Sequence, residues 1–207
     1  MENYERSLCV ATIMALSDWP REPVDAIFFH ARAQEDDDGL FALSARLINS
    51  GLARFVAING FDGLANAPGK EHYIINLIKA GVESSKIFIS DPASNTKEEN
   101  NAFLELSKEN KWKSAVIISQ PHQILRCFLG AVASMKQEDY ELRLHAAYPQ
   151  STSWLKHVFG SQGVENKERF EHVSDELDRI PRYQEKSDLC HFEDFFEYIR
   201  NRERCPK

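Results

Sequence analysis

The stretch from Ile87 to Cys127 constrains the fold of this chain more than any other. Two short apolar runs, Ile87–Ile89 and Ala115–Ile118, each end in a polar loop, and apolar residues at helical spacing follow each loop. Parallel neighbouring strands need a crossover connection, which a helix between them supplies. The stretch therefore predicts an α/β fold with a parallel sheet. Both polar loops should lie at the carboxyl edge of that sheet, where open α/β folds bind ligands.

The segments before and after this stretch extend the same pattern. Apolar runs of strand length and helical periodicity predict strands at Val24–Phe29 and Phe55–Ile58, an edge strand within Tyr140–Tyr148, and helices at Tyr4–Ser17, Leu40–Asn49 and from Lys70 to Ala80. Residues 1–148 are thus predicted to form an N-terminal helix and a Rossmann-like three-layer core, with a mostly parallel sheet of about five strands.

The character of the chain changes after Pro149, where charge rises and β-branched residues become fewer. Three helices are predicted in this tail: a short one around Trp154–Phe159, a second at Phe170–Ile180 and a third at Phe192–Arg200. The tail has too few apolar residues to fold alone. We therefore expect residues 149–207 to form a helical cap on a single domain that spans residues 1–207.

Composition excludes several classes of function. The net charge of −7 and the pI of about 5.5 argue against a nucleic-acid-binding surface, which needs a basic face. The apolar segment Leu8–Leu16 has neither the roughly 20 residues of a membrane span nor a basic leader, so no membrane association is expected. Cysteines at positions 9, 127, 190 and 205 form no close pair, which suits free thiols in the reducing cytoplasm. The oligomeric state stays open.

An acidic run, Glu35–Asp38, precedes the helix predicted at Leu40. Adjacent carboxylates point in different directions and do not converge on a cation. The run is therefore interpreted as a helix start, with Asp37 or Asp38 as the capping residue.

Polar residues follow each of four predicted strands, so they should converge at one edge of the sheet. The candidate ligand-binding residues are His30, Arg32, Asn59, Gly60, Ser94, Asn95, Thr96, Ser119 and Gln120, and the candidate catalytic residues are Glu98, His122 and Arg126. Asn95 and Glu98 also have the spacing of a capping box, and a helix start with exposed amide groups binds anions. His122 and Arg126, one helical turn apart, would form an anion-binding pair; the alternative is that His122 is a surface residue.

Three segments carry a resemblance to a known family: Asp25–Phe29, the box Ser94-Asn95-Thr96 with Glu98, and Ser119–Arg126. They resemble the YdcF/SanA/ElyC-like family of bacterial Rossmann-like domains, and the YdcF branch most closely. The resemblance implies S-adenosylmethionine as the leading candidate ligand. It also implies that Arg46, on the helix at Leu40–Asn49, reaches back to the strand-end loops; otherwise Arg46 is a surface residue.

The chain departs from the family pattern at three places. The first turn is His30-Ala31-Arg32 where the family has glycines, and the second is Asn59-Gly60 where Ser-Gly-Gly is usual. Glu99 stands where the box would have asparagine, with Asn100 and Asn101 shifted by one and two positions.

Three functional hypotheses follow. The first is a protein that binds a nucleotide-like or anionic metabolite at the carboxyl edge. The second is a hydrolase or transferase for a phosphorylated or glycan-type substrate, with His122 as acid or base and Arg126 holding the anion. The third is a degenerate scaffold that has lost the site and works through its tail.

Other types of site are disfavoured by missing motifs. A triad of Ser94 or Ser119 with His122 and Asp91 lacks a nucleophile elbow. No histidine or cysteine spacing is typical of a metal site, and no G-x-G-x-x-G sequence indicates NAD or FAD.

Overall fold

A computed structural model of the chain describes residues 2–30, 33–64, 67–160 and 165–204. The helices are α1 (Glu2–Ser17), α2 (Leu40–Asn49), α3 (Lys70–Lys79), α4 (Thr96–Asn110), α5 (Ile124–Gln137), α6 (His172–Glu185) and α7 (Phe192–Arg204). The strands are β1 (Val24–Phe29), β2 (Ala53–Ile58), β3 (Gly63–Leu64), β4 (Ala67–Pro68), β5 (Ile87–Ile89), β6 (Ser114–Ile118), β7 (Arg143–Ala147), β8 (His157–Phe159) and β9 (Asn166–Glu168). Short 3-10 helices occupy Gln34–Asp36, Ser84–Lys86 and Arg169–Glu171.

Five strands form the central sheet in the order β5-β2-β1-β6-β7, and every neighbouring pair is parallel. The predicted α/β class and the parallel sheet of about five strands are therefore confirmed, including an edge strand within Tyr140–Tyr148. The strand order reverses between β1 and β6, because the chain leaves β1 toward β2 and later returns to the other side of β1. Such a reversal is the place where open parallel sheets bind ligands.

Successive residues of the strands face two different helix layers, because side chains alternate across a strand. Ala26 and Phe28 of β1 pack in an apolar cluster with α1, α4, α5 and α7. Ile27 and Phe29 pack in a second cluster with α2 and α3. The sheet is covered on both faces, which explains why its strands are apolar runs rather than alternating sequences.

One predicted helix of the tail is wrong. Residues around Trp154–Phe159 form a loop and strand β8, which pairs antiparallel with β9, and Val158 lies opposite Lys167. A short apolar run fits a strand as well as a helix, and only its pairing partner decides between them. The helices predicted at Phe170–Ile180 and Phe192–Arg200 are present as α6 and α7.

The tail shares the core of the sheet. Ile180 of α6 and Phe195 and Ile199 of α7 belong to the same apolar cluster as α1 and α5. Phe128 of α5 packs edge-on against Phe195, with ring centroids 5.1 Å apart. Residues after Pro149 therefore complete the helix layer on one face of the sheet.

The predicted cap of α2 is also wrong. The residue before this helix is Gly39, in a left-handed conformation with φ of 72°, and no side chain caps the helix. Asp37 instead binds His72, at 2.8 Å, and Asp38 binds Lys156, also at 2.8 Å. Both carboxylates therefore pair with residues that are distant in sequence, and neither caps the helix.

Two further predictions concern membrane association and the state of the cysteines. Of the helices that the structure describes, none has the length and apolar character needed to cross a lipid bilayer. Cys9, Cys127 and Cys190 carry free thiols, whereas Cys205 lies outside the described residues.

Candidate functional site at the carboxyl edge of the sheet

The loops that follow β1, β2, β5 and β6 meet at the carboxyl edge, as predicted for parallel strands. Asn59, after β2, contacts Ala93, after β5. His30, after β1, contacts Asn100 of α4, and Arg126 of α5 donates a hydrogen bond to the Thr96 hydroxyl, at 3.1 Å. Arg32 lies outside the described residues.

Asn59 joins the ends of two strands through its amide group. Its Nδ2 donates to the Ala93 carbonyl at 2.7 Å and to Glu99 at 3.1 Å. Its Oδ1 accepts from the backbone amides of Ala93 and Phe61. Gly60 follows because a Cβ at that position would lie 2.1 Å from the Ser90 carbonyl oxygen. The Asn59-Gly60 sequence thus holds the loop after β5 in place.

Asn95 is the N-cap of α4, as the sequence Ser94-Asn95-Thr96 with Glu98 predicted. Asn95 Oδ1 accepts from the Glu98 amide at 3.1 Å. The Glu98 carboxylate accepts from the amide and hydroxyl of Ser94, at 2.8 and 2.6 Å, and so reaches one residue beyond the predicted capping box. The Ser94 hydroxyl is the main cause of a lowered pKa for Glu98. Glu98 is therefore an ionised capping residue at neutral pH and cannot supply a proton there.

His30 and Asn100 form a buried polar pair beside the strand-order reversal. His30 Nε2 lies 3.1 Å from Asn100 Oδ1 and donates to it, so in the neutral ring Nδ1 is the acceptor. The ring of His30 packs on Phe28, with centroids 4.2 Å apart. His30 Nδ1 and Asn100 Nδ2 have no hydrogen-bond partner among the described residues. Asn100 was not among the predicted site residues, although its shift by one position from the family box was the available signal.

Ser119 and Gln120, after β6, are fully buried. Gln120 donates to the carbonyls of Asp36 and Asp38, at 2.8 and 3.0 Å, and accepts from the Thr152 hydroxyl at 3.2 Å. Ser119 accepts a hydrogen bond from the Cys127 thiol. These residues therefore connect the edge to the acidic loop and the tail.

His122 precedes α5, which begins at Ile124 and so two residues later than predicted. Its side chain is 1% exposed, and Nε2 lies 3.7 Å from Asp36 Oδ2. The ring of His172, from the tail, is 6.3 Å away. The serine triad is not assembled, because the nearby acid is Asp36 rather than Asp91, and Asp91 is an exposed loop residue.

Arg126 is paired with the tail. Its Nε donates to the Glu176 carboxylate, and both side chains are almost fully buried. Burial disfavours the charged form of Arg126, but the attraction of Glu176 outweighs it and raises the pKa of the guanidinium. The arginine expected to hold a ligand anion thus already holds a carboxylate of the protein.

Arg169 closes the same edge from a second direction. Its side chain is 0% exposed, and it donates to Asp36 at 3.0 Å, to Asp38 at 3.1 Å and to the Ser153 carbonyl. Lys156 also binds Asp38. Asp36, Arg169 and Glu176 were not among the predicted site residues, because their ion pairs join residues 50 or more positions apart.

Arg46 lies outside this group of residues. It is exposed in the last turn of α2, and its guanidinium lies 5.2 Å from the ring centroid of Trp19. Trp19 precedes β1, so this contact is at the amino edge of the sheet. Within the part of the chain that the structure describes, no three histidine, cysteine or acidic side chains are grouped as metal ligands.

Comparisons with known proteins assign no family to this chain. No protein-family model matches it, and no curated protein or solved structure shows a significant similarity. Membership of the YdcF-like family therefore stays a prediction, and the geometry of the carboxyl edge is the basis for a function.

Proposed function

We propose that this protein binds a small polar metabolite, nucleotide-like or anionic, at the carboxyl edge of its sheet beside β1. The supporting observation is the pair of His30 and Asn100, which are 0% and 1% exposed. One atom of each, His30 Nδ1 and Asn100 Nδ2, has no hydrogen-bond partner among the described residues. A buried polar atom without a hydrogen bond costs about 1–3 kcal/mol. A ligand that pairs with both atoms would recover that free energy on binding.

The two atoms favour a ligand that carries a donor and an acceptor side by side. His30 Nδ1 of the neutral ring can accept a hydrogen bond, and Asn100 Nδ2 can donate one. The edge of an adenine ring offers the complement, with an amino donor next to a ring-nitrogen acceptor. An adenine-containing metabolite therefore fits this pair.

The carboxylates near this pair also favour some classes of ligand over others. Glu98 and Glu99 lie on the first turn of α4, and Glu176 is bound to Arg126. These carboxylates oppose a highly charged phosphate ligand. S-adenosylmethionine carries an adenine ring, a sulfonium cation and a zwitterionic amino-acid group. This balance of charge supports it as the leading candidate ligand.

Membership of the YdcF-like family and a cytoplasmic location are part of the same proposal. The segments at Asp25–Phe29 and Ser119–Arg126 support a place in the YdcF-like branch, whose resemblance suggested S-adenosylmethionine. Free thiols at Cys127 and Cys190 are consistent with a cytoplasmic location in a bacterium. The acidic net charge supports a small-molecule partner rather than a nucleic acid.

Titration calorimetry and thermal shift with S-adenosylmethionine, adenosine and a sugar phosphate test the proposal. We expect S-adenosylmethionine to bind most tightly and the sugar phosphate least tightly at this site. Asn100→Asp replaces the donor at nearly constant volume, so affinity should fall about tenfold. Asn110→Asp, at the far end of α4, is the control and should bind as the unchanged protein does. Equal binding by both variants would refute the site, and no binding of any adenine compound at millimolar concentration would refute the function.

A scaffold whose edge is closed by the tail is the second candidate, favoured by the fully buried Arg169. Its ion pairs with Asp36 and Asp38 and the pair of Arg126 with Glu176 fill the edge with the protein's own charges. The hydrolase or transferase hypothesis needs this cover to move, because the side chain of His122 is buried beneath it. Binding of S-adenosylmethionine neither to the unchanged protein nor to an Arg169→Met variant would favour the scaffold.

A further inference from the structure

A cavity lies against helix α6, in the tail of the chain. Its volume is about 400 Å³, within the range of small-ligand sites. One wall is a single stripe of α6, whose members recur every three or four residues from His172 to Lys186. Gly160, directly after β8, and Glu165, directly before β9, also line it. The lining is polar and charged, which suits a charged ligand rather than an apolar one.

The charges along the cavity are separated. Glu165 and Asp175 lie at the end near the start of α6, and both bind Lys167, at 3.2 and 2.8 Å. The ammonium of Lys167 is the main cause of a lowered pKa for Asp175. Both carboxylates are therefore already paired with a cation of the protein. Their end of the cavity offers little to a further cation.

The other end of the cavity is rich in cations. Arg179, Arg182 and Lys186 line it together with one carboxylate, that of Asp178. Arg182 donates through Nε to the Asp178 carbonyl, at 3.1 Å, and the Lys186 ammonium lies 5.5 Å from the ring centroid of Tyr183. Neither Arg182 nor Lys186 forms an ion pair with any residue that the structure describes.

We infer that this end of the cavity binds a small anion, of the phosphate or carboxylate class, through Arg182 and Lys186. A guanidinium and an ammonium one turn apart on the same helix face can both donate to one anion, and such charge-assisted hydrogen bonds are the strong ones. Tyr183 also lines the cavity, and its side chain carries a hydroxyl donor. This site does not depend on the function proposed for the carboxyl edge.

The cavity adjoins that edge through a chain of ion pairs. Arg179 donates to Glu176, Glu176 accepts from Arg126, and Arg126 donates to Thr96 at the start of α4. Arg179, which lines the cavity with Arg182 and Lys186, therefore connects the cavity to the carboxyl edge.

Inorganic phosphate and pyrophosphate are the probes for this site. We expect either anion, titrated at constant ionic strength against chloride, to raise the melting temperature of the protein. The backbone amide resonances of residues 179–186 should shift in nuclear magnetic resonance spectra. In the double variant Arg182→Gln with Lys186→Gln, affinity should fall tenfold or more, because both charge-assisted hydrogen bonds to the anion are lost.

The controls separate this site from general charge effects. Lys79→Gln removes an exposed cation of α3 and should leave phosphate binding unchanged. Arg182→Lys keeps the charge and should retain part of the affinity, which covers the case in which the double variant folds poorly. Asn100→Asp should bind phosphate normally, so failure of the edge site is distinguishable. Equal phosphate responses in the double variant and the unchanged protein would overturn the inference, as would an equal loss in Lys79→Gln.

Discussion

At the scale of single residues, Asn59 and Gly60 show how two adjacent positions join two strand ends. The amide group of Asn59 satisfies both polar atoms of Ala93, and Gly60 lets the Ser90 carbonyl approach the backbone. A close backbone approach is one of the two reasons why a position needs glycine; the other is a left-handed conformation. Gly60 requires the first, and Gly51, with φ of 75°, illustrates the second.

We predict that Gly60→Ala destabilises the protein more than Gly51→Ala does. The added methyl group at position 60 would lie 2.1 Å from the Ser90 oxygen, so two loops must separate, at a cost of about 2–3 kcal/mol. At position 51 nothing lies within 4 Å, and only the left-handed backbone is penalised, by about 1 kcal/mol. Urea denaturation measures both changes. Equal losses would mean that the contact with Ser90 does not constrain the loop.

At the scale of elements, a buried ion pair protects the open side of the edge strand β7. Asp18, in the loop between α1 and β1, accepts from Arg202 of α7 at 2.7 and 2.8 Å and from the Ala146 amide at 3.2 Å. Tyr198 of α7 accepts from the Leu144 amide at 2.6 Å. Outward-facing amides of β7 are thus bonded within the chain, so they cannot pair with another strand.

We predict that Asp18→Asn lowers the free energy of unfolding by about 3 kcal/mol at pH 7, because the buried Arg202 would lose its buried charged partner and keep only the exposed Glu203. Burial raises the pKa of Asp18, but hydrogen bonds from His145 and Arg202 outweigh it, and the net pKa is below the usual value. The stabilisation from this carboxylate is therefore full above its unfolded-state pKa and is lost as the pH falls through the lower folded-state pKa.

Urea denaturation at pH 7 and at successively more acidic pH measures this dependence. The difference between Asp18→Asn and the unchanged protein should shrink below about pH 4, where Asp18 begins to protonate in the unfolded chain. Asp91→Asn, at an exposed loop residue, is the control and should have little effect at either pH. A difference that stays constant down to the acid range would show that the charge of Asp18 does not contribute.

At the scale of the whole molecule, ion pairs of Arg169 and Glu176 hold the tail to the carboxyl edge, in addition to the apolar contacts of α6 and α7 with the sheet. Arg169 binds Asp36 and Asp38, and Glu176 binds Arg126. Removal of one member of a buried pair leaves an uncompensated charge, which is much more costly than the loss of an exposed pair. Whether the edge is open to a ligand therefore depends on these pairs.

We predict that Arg169→Met loosens the tail while the sheet stays intact, because the buried Asp36 carboxylate loses its ion pair with Arg169, at a local cost of about 3–5 kcal/mol, whereas Asp38 keeps Lys156. Hydrogen exchange should accelerate in β8 and in Arg169–Glu171, and remain slow in β1 and β6. Arg200→Gln, at an exposed cation of α7, should change neither region. Uniform acceleration in tail and sheet would mean that Arg169 stabilises the whole domain instead of closing its edge.

The sequence by itself determined the parallel core of this protein and the place where a site could form. The apolar runs at Ile87–Ile89 and Ala115–Ile118 predicted strand positions, because short apolar runs that end in turn-forming residues are typical of strands in a parallel sheet. Asn95 predicted the start of α4, since an N-cap is a contact between residues a few positions apart in the sequence.

Only the tertiary structure decided how the edge is filled. The pairing of Asp36 with Arg169, of Arg126 with Glu176 and of His30 with Asn100 joins distant parts of the chain, and a charged residue carries no local signal of its partner. Asp37 and Asp38 were assigned to a helix cap for that reason, and Val158 to a helix instead of the strand that its pairing with Lys167 creates. Local periodicity specifies elements, whereas long-range electrostatic pairing and strand pairing depend on which elements the fold brings together.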